Sequence, residues 1–414
     1  MRKIYKLGLL MIMVISPLFL IGCSDDSVPA TDSFTVEFVD YDGTVLDTIT
    51  CSVGETCDIV APNEPNTKEN CMFLRWSVFE EEYDTLDRDT TIEAIYNLDN
   101  RVVSFGNFSV AFYAFFIISG MLVGLGLGLR ESNRTGVKQD DLIDGFLWIV
   151  PVAILGARLW YVIFELDRFT GYGFFPSLLR ILGFQYGTLD FSTFGLSGLA
   201  IHGAFVTALI CAYFYTKKRK ISVLKVLDIV AVGFIIAQAF GRWGNFFNQE
   251  AHGYLVGQGA LSLQEQFEYL RYTLHMPEFI VNNMYMFPGT HEVAEGFYHP
   301  TFLYESSLNL IGFGLMLVLR RCKKVHFGEL MSLYLVWYGS VRIFIETMRT
   351  DPLVFELFGV SFKSAIVTSV LLILAGISLS IFIRKKFKGQ TYGTVPGYFG
   401  YKKPKVVDEE KEEK

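Results

Sequence analysis

After residue 100 the chain carries seven apolar runs, at about 108–129, 143–164, 195–215, 227–247, 300–319, 328–346 and 362–383. Each is close to the ~20 residues that an α-helix needs to cross a bilayer. A backbone in lipid satisfies its polar groups only within a helix or a closed barrel. Composition agrees, with 51% apolar and only 19% charged residues, too few charges for an ordinary soluble enzyme. The expected fold class is therefore an all-α polytopic membrane protein with seven transmembrane helices, preceded by a small extracytoplasmic β domain at the N-terminus. The net charge of -7 gathers in the first hundred residues and in the tail from Asp408 to Lys414, and no basic stripe suggests nucleic acid.

Residues 1–23 read as a secretory signal: Arg2, Lys3 and Lys6, then the apolar run Leu7 to Ile21. It ends in Leu20-Ile21-Gly22-Cys23, which resembles a lipobox, the site at which bacterial lipoproteins are lipidated on cysteine and then cleaved before it. An uncleaved anchor helix is the alternative, and either reading puts residue 30 outside. Residues 24–33 form a polar tether. From 34 to 97 the apolar pattern alternates, with turns at Asp40-Tyr41-Asp42-Gly43 and Val53-Gly54-Glu55 and a closing strand at Thr90 to Tyr96, as in a small β module. Its order of strand, glycine, proline and Phe73-x-x-Trp76 is similar to the extracellular repeats of bacterial surface proteins. Cys51 and Cys57 suit a disulfide if this region is outside the cell, and two free thiols remain the alternative.

Basic residues fix the expected orientation. Arg130, Arg134 and Lys138 follow the first run, Lys217 to Lys220 the third, Arg320, Arg321, Lys323 and Lys324 the fifth, and Arg384, Lys385, Lys386 and Lys388 the seventh. The positive-inside rule makes these segments cytoplasmic, with the N-terminus extracytoplasmic and the C-terminus inside. The outer loops 165–194 and 248–299 have room for small helices. The tail 386–414 is charged and cytoplasmic on this reading.

Ionisable residues inside a membrane are costly and mark function. In this orientation Tyr113, Arg158, His202, Arg242, His299, Arg342 and Glu346 all fall near outer ends of their runs, whereas unrelated structural charges would scatter between both faces. Tyr338, Arg342 and Glu346 are four residues apart and share a helical stripe; Arg242 and Asn245 share another. Two facing guanidiniums suit a phosphate, because each offers a planar donor fork that stays charged. In a membrane the abundant phosphate carrier is a phospholipid headgroup. His202 is suited to proton transfer, and the small residues Gly203 and Ala204 beside it are expected to leave room for a ligand.

These stretches together resemble the prolipoprotein diacylglyceryl transferase family over roughly residues 108–385. The closest match is Gly241-Arg242-Trp243-Gly244-Asn245-Phe246-Phe247-Asn248-Gln249-Glu250. Supporting it are Gly156-Ala157-Arg158, Ile201-His202-Gly203, the run from His299 to Glu305, and Tyr338-Gly339 with Arg342 and Glu346. The resemblance implies transfer of the diacylglyceryl group of phosphatidylglycerol to the lipobox cysteine thiol of a prolipoprotein, forming a thioether and releasing glycerol phosphate. It implies His202 as base or proton relay and Arg242 and Arg342 as phosphate binders. Asn245, Glu250, Gly253, Tyr113, Tyr338, Glu346, Arg158 and His299 would line the lipid site. No metal or cofactor is implied. The partners would be phosphatidylglycerol, prolipoprotein signal peptides and the bilayer of a bacterial plasma membrane. The family usually has glycine at Ala204, a basic residue at Tyr298 and glutamine at Phe302, so a polar role at 298 and 302 does not carry over. The apparent lipobox implies that the chain is itself lipidated at Cys23. A transporter or flippase would continue its polar residues to the inner face and carry internal repeats, and neither is visible. A surface receptor would not need seven runs with buried arginines.

Overall fold

The computed structural model describes residues 33–399 apart from 56, 66, 106–107, 185–197, 288–293, 351–353 and 358–359. The signal segment, Cys23 and the tail beyond 399 lie outside the described residues, as do residues 195–197 of the third apolar run. The chain forms two compact units: one up to Pro65 together with Trp76–Ala94, the other Asn66–Arg75 together with Ile95 onward.

The smaller unit is built on alternation. Strands β1 (Ser33–Val39) and β2 (Val45–Ser52) pair antiparallel with Phe34 opposite Cys51 and Val36 opposite Ile49. Gly43 turns the hairpin with a φ of 83, while Asp40 N–H donates to Thr44 O at 2.8 Å. Strand β3 (Phe73–Trp76) falls in the larger unit except for Trp76, and β4 (Thr90–Tyr96), in the smaller unit up to Ala94, pairs parallel with β1. Phe34, Val36 and Phe38 point the same way and are buried, as a period of two requires. Trp76 and Tyr83 meet the Phe38 ring edge-on at 5.0 and 6.0 Å. Cys51 and Cys57 form a disulfide with Cα atoms 5.6 Å apart, and Cys71 is a free thiol.

The larger unit is helical. A short hairpin of β5 (Arg101–Phe105) and β6 (Phe108–Ala111) leads into the helices, of which seven among the described residues are long: α1 (Phe112–Thr135), α2 (Gln139–Phe164), α3 (Ile201–Arg219), α4 (Val223–Phe247), α5 (Thr301–Leu319), α6 (Glu329–Glu346) and α7 (Ser364–Lys386). Five of them, α1, α2, α4, α5 and α7, are long and apolar enough to cross a membrane. Helix α6 falls outside that group because its 18 residues include Glu329, Arg342 and Glu346. Helix α3 has a histidine near its start and closes on Lys217, Lys218 and Arg219. The link between α2 and α3 holds a short helix at Phe174–Leu182, and the link between α4 and α5 holds others at Leu263–Glu268 and Glu278–Asn283.

Small residues set how closely the helices cross, as expected where lipid gives no hydrophobic drive for association. Gly120, Gly124 and Gly128 form a stripe on α1 against α4. A Cβ there would lie 2.9 Å from Ala237 Cα, 3.0 Å from Gly233 Cα and 2.9 Å from Ile229 Cγ2. Helix α5 packs on α4 through Ser306, whose hydroxyl donates to Ala239 O at 3.0 Å. Gly339 and Gly376 close the α6–α7 crossing, each facing a main-chain oxygen of the other helix.

At the end of the bundle where α4 starts and α5 stops, the chain after α7 folds back. Buried Asp228 accepts from Gly328 N at 2.8 Å, Met331 N at 3.1 Å and Tyr392 Oη at 2.9 Å. Tyr398 donates to Glu131, which also pairs with Arg321 at 2.9 Å.

Candidate active site

The opposite end of the bundle holds Arg242, Arg342 and Glu346, three of the ionisable residues singled out from the sequence. Arg242 lies near the C-terminal end of α4, Glu305 in the second turn of α5, and Arg342 and Glu346 in the last two turns of α6. Arg242 Nη2 is 3.0 Å from Glu305 Oε1, Arg342 Nη1 is 3.9 Å from Glu305 Oε2, and Arg342 Nη2 is 2.8 Å from Glu346 Oε2. Both carboxylates are almost wholly buried, with 2% and 1% of the side chain exposed, while 21% of Arg242 remains open. Two arginines and two carboxylates thus form one chain of alternating charge across three helices. Buried ions persist only when paired in this way.

The four-residue spacing of Arg342 and Glu346 and the three-residue spacing of Arg242 and Asn245 both become contacts, the latter with Arg242 Nη1 donating to Asn245 Oδ1 at 3.1 Å. Asn245 Nδ2 donates to Glu250 Oε1 at 2.7 Å, which Asn248 Nδ2 also reaches at 3.3 Å. The turn carrying Glu250 is strained: Gln249 and Ala251 have φ of 50 and 57, left-handed values that side chains disfavour. Two bonds hold it. Gln249 Nε2 donates to Asn283 O at 3.1 Å, and Thr301 Oγ1 donates to Ala251 O at 2.6 Å. Asn283, 1% exposed, in turn donates to Phe246 O and accepts from Leu98 N, tying the last turn of α4 to the link between β4 and β5.

Tyr113, in the first turn of α1, lies against Gly244 of this α4 turn, where a Cβ would approach its ring to 2.7 Å. Tyr338 sits one turn before Arg342 and stacks on Tyr334 at 5.9 Å. Gly253 and His299 are held together: Gly253 N–H donates to His299 O at 2.9 Å, and a Cβ on Gly253 would meet His299 Cβ at 2.8 Å. His299 Nδ1 and the Tyr304 hydroxyl are 3.2 Å apart, and burial lowers the imidazole pKa below its ordinary value.

Arg158 and His202 belong to a second grouping on α2 and α3. The Arg158 guanidinium donates to the carbonyls of Ile181 at 3.0 Å, Arg180 at 2.8 Å and Gly198 at 3.3 Å, so it caps the helix Phe174–Leu182. His202 stands in the first turn of α3 and is exposed. Among the described residues, the arginine network does not include it. The space expected beside Gly203 is filled: a Cβ there would fall 2.3 Å from Trp160 Cβ and 2.4 Å from Gly156 O. The small residues serve the α2–α3 crossing rather than a cavity, because one face of a helix turn cannot both touch a neighbouring helix and stay open. Phe302, buried, stacks on Phe246 at 4.5 Å, and Tyr298 packs with it.

Sequence reasoning missed two residues. Glu305 was visible in the motif from His299 to Glu305, and as an acid within an apolar run it carries the same signal as Arg342. Asn283 closes a short helix within the long link between two apolar runs, with no sequence pattern to distinguish it.

The long apolar helices define a polytopic membrane protein that pairs two arginines with two buried carboxylates at one end of its bundle. The family model described as prolipoprotein diacylglyceryl transferase matches residues 100–382. The chain belongs to that family. It is 38% identical over 295 residues to the phosphatidylglycerol--prolipoprotein diacylglyceryl transferase of Listeria innocua serovar 6a, covering 71% of this chain and 93% of the relative. Streptococcus sanguinis strain SK36 has a protein of the same name, 40% identical over 291 residues, covering 70% and 97%. That of Streptococcus suis strain 05ZYH33 is 39% identical over 298 residues, covering 72% and 96%.

Proposed function

We propose that this protein transfers the diacylglyceryl group of phosphatidylglycerol to the lipobox cysteine of prolipoproteins. The observation that carries the reading is the joining of Arg242 and Arg342 through Glu305 inside a membrane bundle. Names of relatives that match nine-tenths or more of their own length support it.

In the proposed reaction the substrate thiol attacks the glycerol carbon that bears the phosphate. A sulfur–carbon bond forms and the carbon–oxygen bond to phosphate breaks, so the bonding pair leaves on glycerol phosphate. The thiol proton passes to His202, a base suited to neutral pH. Arg242 and Arg342 hold the phosphate and stabilise the charge that develops on it, as preorganised donors do in a site shielded from water. Asn245 and Glu250 fix the Arg242 guanidinium, Glu346 fixes that of Arg342, and Tyr113, Tyr338, Gly253 and His299 shape the lipid site. Arg158 acts at a distance, through the loop before His202.

On this reading all seven long helices span the membrane, α3 and α6 being polar because they carry the chemistry. The basic residues after α1, α3, α5 and α7 support a cytoplasmic location for those ends, and hence an extracytoplasmic site and N-terminus. The lipobox-like Leu20 to Cys23 supports lipidation of Cys23, which would tether the β module at 34–97 to the outer leaflet as a spacer or binding module.

The test is reconstitution of the purified chain with phosphatidylglycerol and a lipobox peptide, followed by peptide mass. A diacylglyceryl mass gain that Arg242→Ala and His202→Ala reduce is the expected result. A folded sample that gives no gain overturns the reading.

A further inference from the structure

Glu305 has no role in the scheme above, yet it occupies the centre of the site. Its two oxygens face different arginines, at 3.0 Å from Arg242 and 3.9 Å from Arg342. A single carboxylate between two guanidiniums is the arrangement a phosphate would take, since both anions present oxygens to the same donor forks. The fit is incomplete. Buried Glu305 Oε1, Arg342 Nη1 and Glu346 Oε2 make no hydrogen bond among the described residues, although buried polar atoms nearly always do. Arg342 therefore keeps a donor unspent toward Glu305, while its other terminal nitrogen contacts Glu346 at 2.8 Å. A four-oxygen anion seated between the guanidiniums would use that donor, and the carboxylate cannot.

We propose that Glu305 is a placeholder for the substrate phosphate: its carboxylate holds the position between Arg242 and Arg342 in the resting protein and yields it to the phosphoryl group of the lipid. The inference rests on the reading of these arginines as phosphate binders. Two consequences follow from charge alone. Without lipid, Glu305 and Glu346 neutralise two partly buried guanidiniums that would otherwise be uncompensated. After the reaction, the returning carboxylate competes with glycerol phosphate for the same donors and drives the product out. Glu305 is in this sense a positioning residue, acting through the two arginines. Its place on α5 suits the task. Ser306, the next residue, fixes the backbone to Ala239 O on α4, so the carboxylate moves by side-chain rotation while the helix stays still.

The test compares the full-length chain with Glu305→Gln in detergent, reading glycerol phosphate binding by phosphorus NMR line broadening and lipid kinetics by peptide mass. Glutamine keeps the size but removes the competing charge. The expected result is glycerol phosphate binding tighter by about tenfold, with KM for phosphatidylglycerol and kcat both lower because product leaves slowly. A merely structural role predicts the reverse for KM, so unchanged or weaker binding with a raised KM overturns the proposal. If the glutamine variant does not fold, Glu305→Asp decides: its carboxylate, one methylene shorter, contacts at most one arginine, and tighter binding by a smaller factor is expected. Binding that does not tighten in the aspartate variant overturns the proposal in that case. The binding comparison needs no turnover. A wild-type chain that binds glycerol phosphate but transfers nothing sinks the transferase reading and leaves the placeholder standing, whereas active wild type with no change in Glu305→Gln does the opposite.

Discussion

Glu305 on α5 and Arg242 on α4 meet at 3.0 Å, with the carboxylate 2% exposed and the guanidinium 21% exposed. The carboxylate is sealed and the guanidinium is the more exposed partner. The two are therefore expected to answer differently to substitution.

Replacing Arg242 by lysine keeps the charge but loses the planar fork and the contact to Asn245. Transfer activity in the peptide-mass assay is expected to fall by about tenfold or more, roughly 1.4 kcal/mol of transition-state contact. Near-normal turnover in Arg242→Lys would show that a point charge suffices.

Gly124 faces Gly233 across the α1–α4 crossing with no room for a side chain, since a Cβ would stand 3.0 Å from a backbone carbon. Gly124→Val should force the helices apart and lower stability by about 1–3 kcal/mol, read as an earlier thermal transition in detergent. Gly126, with open space around its Cβ position, is the control and should tolerate alanine.

His299 is kept neutral by burial, so its folded pKa lies below the unfolded value of about 6.5. Below that value the unfolded chain binds the proton more readily than the folded one. Stability contributed by the neutral imidazole is thus fully present above about pH 6.5 and is lost as pH falls from there. Thermal scans between pH 7.5 and 5 should show a steeper decline for the natural chain than for His299→Gln, and parallel curves would refute the assignment.

The segment from Gln390 to Phe399 clasps the far end of the bundle through Tyr392 on Asp228 and Tyr398 on Glu131. Tyr392→Phe removes one of three bonds to a buried carboxylate and should lower stability by about 1–3 kcal/mol. Ending the chain at Lys388 removes both tyrosines and should lower it further, without abolishing glycerol phosphate binding at the other end.

Cys71 is a partly buried thiol whose pKa is raised, chiefly by burial, while Cys322 is exposed. The thiolate is the reactive form. Maleimide in detergent at neutral pH should modify Cys322 first and Cys71 slowly, and Cys51 and Cys57 only after reduction. Equal rates at Cys71 and Cys322 would contradict the burial of Cys71.

What the sequence by itself determined is what local pattern can encode. Apolar runs of membrane length became the long helices, because a run of that kind has one way to satisfy its backbone. The alternation from Phe34 to Ser52 became a hairpin with Gly43 at its turn. Residues three or four apart, such as Arg342 with Glu346 and Arg242 with Asn245, met as helix geometry requires. Tertiary structure alone decided which helix supplies the partner. Glu305 reaches Arg242 and Arg342 only because α4, α5 and α6 pack on one another, a neighbourhood that no spacing along the chain records. Arg158 reads in the sequence as a residue lining the lipid site, and only the fold shows that its guanidinium donates to three carbonyls. Gly203 looked like room for a ligand until Trp160 of α2 filled it. A charge or a glycine states a need in the sequence, for a counterion, an acceptor or a close neighbour, and only packing names what meets it.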